Sequence, residues 1–255
     1  FVKAPHTRVD FNGAIGSQIQ VRMFTTDFSD FLPALALVMD KPPEQLPVSL
    51  VKPVGQARFD GQVTSPLSGP QIAGKAAAEQ ILVEGRQVDR ASGLIDVNAQ
   101  RLVAKDLTIR ENGAEIIGNA TLSLANWRLT GQSLVDARVA VKQTPVEKLL
   151  EVAGRTDVPV KGLVSGAVEI GGTIERPEIL AQPLLSNATV SGEPFERIVS
   201  TVRVMPGKIT VQDGVVTHAA GRIPFTATYE HPEKVYERGL LRVQANGKGI
   251  ELAQI

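Results

Sequence analysis

Apolar and polar residues alternate with a period of two along most of this chain. Glycines and turn dipeptides such as Pro206-Gly207 and Asp213-Gly214 break the alternation into short runs. In the first half the apolar positions are Ile95, Val97 and Ala99, then Ile116, Ala120, Leu122 and Leu124, then Val135, Ala137, Val139 and Val141. In the second half they are Val164, Val168 and Ile170, then Val202 and Val204, Ile209 and Val211, and Ile223, Phe225, Ala227 and Tyr229. A strand places successive side chains on opposite faces, so each run predicts a strand with one apolar and one polar face. The short turns between runs predict antiparallel pairing.

Helical periodicity is confined to two places. Thr144-Pro145-Val146-Glu147 carries a capping threonine, proline at the first helical position and glutamate at the third, followed by Leu149, Leu150 and a stop at Gly154. The earlier segment sets Phe28, Phe31, Leu32 and Leu35 on one helical face, with Pro33 tolerable only in the first turn. The expectation is two helices, near Phe28 to Met39 and Pro145 to Ala153. Their apolar faces (Phe28, Phe31, Leu32 and Leu35 in one; Val146, Leu149 and Leu150 in the other) are expected to cap the sheet locally, because exposed stripes of that size invite aggregation.

These helices occupy equivalent positions in an internal repeat. Val21 to Leu32 aligns with Val139 to Leu150, and a third start follows at Val243. Between the helices one constant offset carries Gly55 onto Gly162, Pro70 onto Pro177, Ile72 onto Ile179, Gly85 onto Gly192 and Asp106 onto Asp213. The predicted organisation is the end of a preceding repeat over 1–20, repeats over 21–138 and 139–242, and the start of a further one over 243–255. Stacked repeats grow in one dimension and offer a long surface instead of a single deep pocket. Beginning at Phe1, the chain reads as an internal piece of a longer protein.

Composition narrows the classes of function. The 255 residues carry 27 basic and 27 acidic side chains, a balance that argues against a nucleic-acid partner, which calls for a basic excess. The absence of cysteine removes disulfides, thiolate nucleophiles and zinc–thiolate sites, and is compatible with an oxidising compartment. The longest apolar run, Leu32 to Met39, is too short to span a bilayer as a helix. Only 4% of the residues are aromatic, so an inward face would consist mainly of Val, Ile, Leu and Ala. Two packings stay open on this pattern. One is an ordinary sandwich filled with aliphatic side chains. The other is a curved sheet whose apolar face remains partly open as a trough, suited to acyl chains because each buried methylene contributes about 0.8 kcal/mol without a directional partner.

Candidate chemistry is sparse. His6, His218 and His231 lack metal-ligand spacing, and no nucleophile elbow or phosphate loop occurs. Glu169 with Glu175 and Asp89 with Asp96 sketch glycosidase-like pairs, but they sit near turns and lack the sugar-stacking aromatics such a site uses. The lone tryptophan, Trp127, lies between Leu124 and Leu129 and reads as a packing or edge residue rather than a ligand-stacking one. No enzyme activity, cofactor or metal is expected.

The segment Pro159 to Ile223 carries Pro159-Val160-Lys161-Gly162 at a strand start, Gly172-Thr173 with Pro177 at a turn, Gly192 before Phe195, and a strand ending in Asp213-Gly214. In these motifs it resembles the repeats of the TamB family within the AsmA-like superfamily. The first copy is looser: Ser68-Gly69-Pro70-Gln71-Ile72 keeps the turn, while Val88 replaces the aromatic and Leu107 the glycine after Asp106. The resemblance implies a mostly β fold of repeated antiparallel strands forming a U-shaped hydrophobic groove (a β-taco) with short interspersed helices. It also implies a periplasmic location, as part of a protein of the Gram-negative envelope anchored in the inner membrane. Such proteins are implicated in carrying phospholipid towards the outer membrane. They are tied to an outer-membrane partner of the BamA type and to outer-membrane protein assembly and secretion.

On that expectation the alternating apolar positions named above, from Ile95 and Val97 through Ile223 and Phe225, line one inner face. Three functions compete: a lipid-conducting groove, a scaffold for outer-membrane protein (autotransporter) assembly with a filled, dry interior, and a polysaccharide-active β solenoid. The low aromatic content disfavours the third.

Overall fold

A computed structural model describes residues 1–14, 17–31, 55–64, 69–83, 86–111, 113–152, 158–218, 221–233, 235 and 238–246. The chain divides into two compact units, Phe1–Asn112 with Ser123–Leu129, and Gly113–Leu122 with Thr130–Ile255.

The first unit contains β1 (Val2–Lys3), β2 (Thr7–Gly13), β3 (Gln18–Thr25), β4 (Gln56–Thr64), β5 (Gln71–Val83), β6 (Arg86–Val97) and β7 (Arg101–Glu111). Each pairs antiparallel with its neighbour in chain order. The second contains β8 (Ala114–Ser123), β9 (Val135–Pro145), β10 (Val160–Gly172), β11 (Pro177–Val190), β12 (Glu193–Met205), β13 (Lys208–His218), β14 (Gly221–Glu230) and β15 (Leu240–Ala245), again paired antiparallel in chain order. The mostly β, antiparallel fold expected from the alternation is what forms. The internal repeat recurs in it: the shift along the sequence that carries Asp106 onto Asp213 also carries β7 onto β13 and β8 onto β14, end to end.

Bulges punctuate the long strands in the same rhythm. Asp106 and Asp213 adopt left-handed backbone (φ 50° and 51°), as do Gln80 and Asn187 (φ 50° and 49°), and the same shift relates both pairs. At Asp106, Asp213 and Asn187 two residues of the bulged strand face one of a neighbour. Asp and Asn tolerate this conformation better than other side chains, which explains acidic and amide residues in the middle of long strands. Gln143 (φ 41°) makes an equivalent bulge in β9, and its freed backbone N–H donates to the Ser165 hydroxyl at 2.9 Å.

The helical segments begin differently from the expectation, and its ends at Met39 and Ala153 lie outside the described residues. The only α-helix among the described residues, α1 (Val146–Val152), lies against β9 and β10. Pro145 closes β9 rather than opening the helix. Thr144, fully buried, gives its hydroxyl hydrogen to the Lys142 carbonyl at 3.2 Å, and Glu147 Oε2 is enclosed without a hydrogen-bond partner among the described residues. The expected capping box is therefore not closed. The bulge at Gln143 sets Thr144 opposite Val164 on β10, so its hydroxyl serves the strand instead of the helix. At the earlier site a 3-10 turn, Phe28–Phe31, replaces the start of the expected helix. Asp27 Oδ1 accepts from the Ser29 N–H and Asp30 Oδ2 from the His6 N–H, both at 2.8 Å, and these carboxylates tie the tight turn to the start of the unit. Leu32 and Leu35 lie outside the described residues.

Among the described residues the buried hydrophobic positions are all alanines, Ala57, Ala104, Ala114, Ala137 and Ala188, and no larger apolar side chain is fully buried. Conventional domains of this size bury many Val, Ile and Leu residues completely. Here glycines supply part of the packing surface. The Phe225 ring lies across Gly214, the residue paired with it on β13. A Cβ at position 214 would stand 2.6 Å from that ring and 2.7 Å from the Phe225 carbonyl oxygen. Gly214→Ala is expected to lower stability by about 1–3 kcal/mol through this clash, seen as a lower urea midpoint at unchanged slope.

Candidate functional site

Register decides which side chains share a face. In the second unit direct cross-strand partners form one row, Val139, Val168, Ala181, Val202, Val211 and Ala227, spanning β9 to β14. Beside it runs a second, Ala137, Ile170, Ile179, Val204, Ile209 and Tyr229. Val164 continues through Leu185 and Ile198 to Val216 and Ile223. Ile116 pairs with Val141 and Leu122 with Val135, while Phe225 reaches the same face over Gly214. Apart from the buried Ala137, these side chains are half-buried. Leu124 departs from the expectation: it lies beyond the end of β8, in the first unit, and its N–H donates to the Gln100 carbonyl at 2.6 Å.

In the first unit Ile95 and Val97 sit in a trough of about 500 Å³ lined by five consecutive strands, β3 to β7. Much of the lining escaped the sequence pattern. Val21 and Met23 come from β3, Phe59 and Val63 from β4, and Ile72 and Ala76 from β5. Ala104 and Leu107 close the far side. The floor is built of small residues: Gly61 pairs with Gly74, Gly74 with Ile95, and Ala57, Ala78 and Ala91 follow one another across three strands. Phe59 lays its ring over Gly61 and Gly74. The polar residues at the wall are Arg58 and Ser92, whose register puts their side chains on the other face. Small residues carry no strong alternation of their own, so only the pairing reveals this surface.

The opposite faces are charged. Asp10, Arg22, Asp60 and Lys75 stand directly across from one another, with Arg22 Nε 3.4 Å from Asp60 Oδ2. The Arg8 guanidinium bonds Asp10 through two contacts at 2.8 and 3.0 Å and holds its carboxyl below the usual range. Hydrogen bonds from Arg242 and Lys208 do the same to Glu230. That contribution is present above the ordinary carboxylate pKa and fades as pH falls through the lowered value. In the second unit Arg138 faces Glu169 at 4.0 Å. Exposed pairs of this kind fix register and wettability more than stability.

At one end of the second unit α1 and the ends of β10 and β11 enclose about 630 Å³. Glu147, Leu150, Val160 and Lys161 are among its lining. Val146, Leu149 and Leu150 are half-buried.

The other sequence candidates are dispersed. Glu169 pairs with Arg138, Glu175 accepts from Gln132 at 3.3 Å, and Asp96 accepts from Gln71 at 2.7 Å. His218 meets Phe195 edge-on, and His231 is buried, stacked on Tyr229. Trp127 stands at a turn, 39% exposed. No protein-family model, no curated protein and no solved structure matches this chain.

Filling the trough tests whether it accepts apolar ligands. Ala76→Phe is expected to weaken binding of phenylnaphthylamine about tenfold, the equivalent of about 1.4 kcal/mol, in a fluorescence titration. Lys75→Ala, one residue away on the charged face, should leave the titration unchanged.

Proposed function

We propose that this chain is a periplasmic segment of a protein anchored in the inner membrane of a Gram-negative envelope. Its apolar face carries phospholipid acyl chains between the inner and outer membranes in support of outer-membrane biogenesis. The observation that carries this reading is the set of aligned apolar rows whose large side chains are all only half-buried. Rows such as Val139, Val168, Ala181 and Val202 present nearly the same surface at every strand, and the hydrophobic attraction they exert has no direction. An acyl chain moving along them exchanges one equivalent contact for the next. α1 lies against β9 and β10, with Val146, Leu149 and Leu150 half-buried, as a local cap requires. The likeness of the turn motifs to the TamB family supports the envelope setting, and a BamA-type partner would engage parts of the protein outside this chain.

A scaffold with a filled interior is the competing reading. It requires large aliphatic side chains to be enclosed, whereas the enclosed apolar residues described are alanines, which favours the open trough.

A carboxylate on the apolar face separates the two. On an open apolar face Val168→Asp and Val204→Asp fold, because water reaches the new charge, but they interrupt the apolar row, since a passing chain cannot solvate it. Phospholipid co-purifying with the protein, measured by mass spectrometry, should fall about tenfold. Glu169→Lys and Arg203→Glu, on the charged face, should retain it. Well-folded aspartate variants that keep their lipid would defeat the conduit reading, and variants unable to fold would point to a filled core.

A further inference from the structure

The segment between β8 and β9 contains a two-residue hairpin whose conformation is costly for its sequence. Ala125 and Arg128 exchange backbone hydrogen bonds at 2.9 and 3.2 Å, and the two residues between them, Asn126 and Trp127, both have positive φ (50° and 68°). This is the type I′ pattern, whose second position is ordinarily glycine. Asparagine accepts it easily; tryptophan is a genuine outlier there. The tip is held in place by a hydrogen bond from the Trp127 backbone N–H to the Ala99 carbonyl, at 2.9 Å. Strain of this kind persists where the presented side chain has a use.

What is presented is a run of three exposed residues, Trp127, Arg128 and Leu129. Trp127 is 39% exposed and Leu129 53%, and Arg128 between them is exposed. Among the described residues the Trp127 indole N–H has no hydrogen-bond partner and Arg128 no ion pair. The run Leu124 to Leu129 contains no carboxylate, and the turn that anchors it, Asn98 to Arg101, adds a second arginine and no acid; the Glu175 carboxylate lies beyond the run, beside Gly131. Exposed tryptophan, arginine and leucine in succession suit the boundary of an anionic bilayer: the apolar side chains enter the acyl edge, the indole N–H meets carbonyl or phosphate oxygen, and the guanidinium pairs with phosphate. We infer that this hairpin is a docking point for the surface of an anionic phospholipid bilayer. It does not depend on the apolar faces described above carrying lipid.

Trp127 is the only tryptophan in the sequence, so the intact chain reports its own docking. With phosphatidylglycerol vesicles its emission should shift to the blue and be quenched by brominated acyl chains, and added salt should reverse both effects. Phosphatidylcholine vesicles should give a much weaker response. In co-sedimentation, Arg128→Ala should reduce binding to the anionic vesicles about fivefold, as expected for one arginine at such a surface. Trp127→Ala should reduce it further at unchanged strand content. Unshifted emission with the anionic vesicles, or sedimentation of both variants equal to that of the parent chain, would overturn the inference and leave the hairpin to a protein partner.

Discussion

Cross-strand backbone pairing in chain order is the constraint on which everything else in this molecule rests. Side chains alternate along a strand, so a slip of one residue in any pair would send an entire apolar row to the charged face. Val168 shares a face with Val139 and Ala181 only because β10 pairs at that register with both β9 and β11. The bulges at Asp106, Gln143, Asn187 and Asp213 each insert one residue, and the apolar row resumes beyond them: Val211 precedes the bulge in β13, and Val216 opposite Ile223 follows it. Charged ladders such as Asp10, Arg22, Asp60 and Lys75 reinforce the choice, because a shifted register would set like charges beside each other.

A sheet built this way has no need of a conventional core. Alanine and glycine occupy the closest approaches, and aromatic rings lie across the glycines, Phe59 over Gly61 and Gly74 and Phe225 over Gly214. These rings restore the apolar contact that a glycine lacks, with no side chain added at the narrow point. The first unit thereby gains a wide trough floored by small residues, and the second a rail of Val and Ile.

The strands of the second unit were legible in the sequence because β-branched residues alternate there with charges, as in Val168-Glu169-Ile170 and Val202-Arg203-Val204. The trough in the first unit was not. Ala76-Ala77-Ala78 has no period, and only the pairing of Ala76 with Phe59 and of Ala78 with Ala57 tells which alanines face inward. The capping box at Thr144 failed for a related reason: a bulge one residue earlier, invisible as pattern, turned the threonine inward. The positive φ of Trp127 was not legible either, because nothing in the hydrophobic pattern marks a tryptophan as the second residue of a tight turn.

The central claim is that acyl chains contact one face of the sheet and not the other. A photo-crosslinking side chain, p-benzoylphenylalanine, placed at Val202 or at its sequence neighbour Arg203 and illuminated with phospholipid present, tests it most directly. The account predicts a phospholipid adduct by mass spectrometry at Val202 and none at Arg203. Equal labelling at both positions, or no labelling at Val202 in a chain that keeps its strand content, would contradict it.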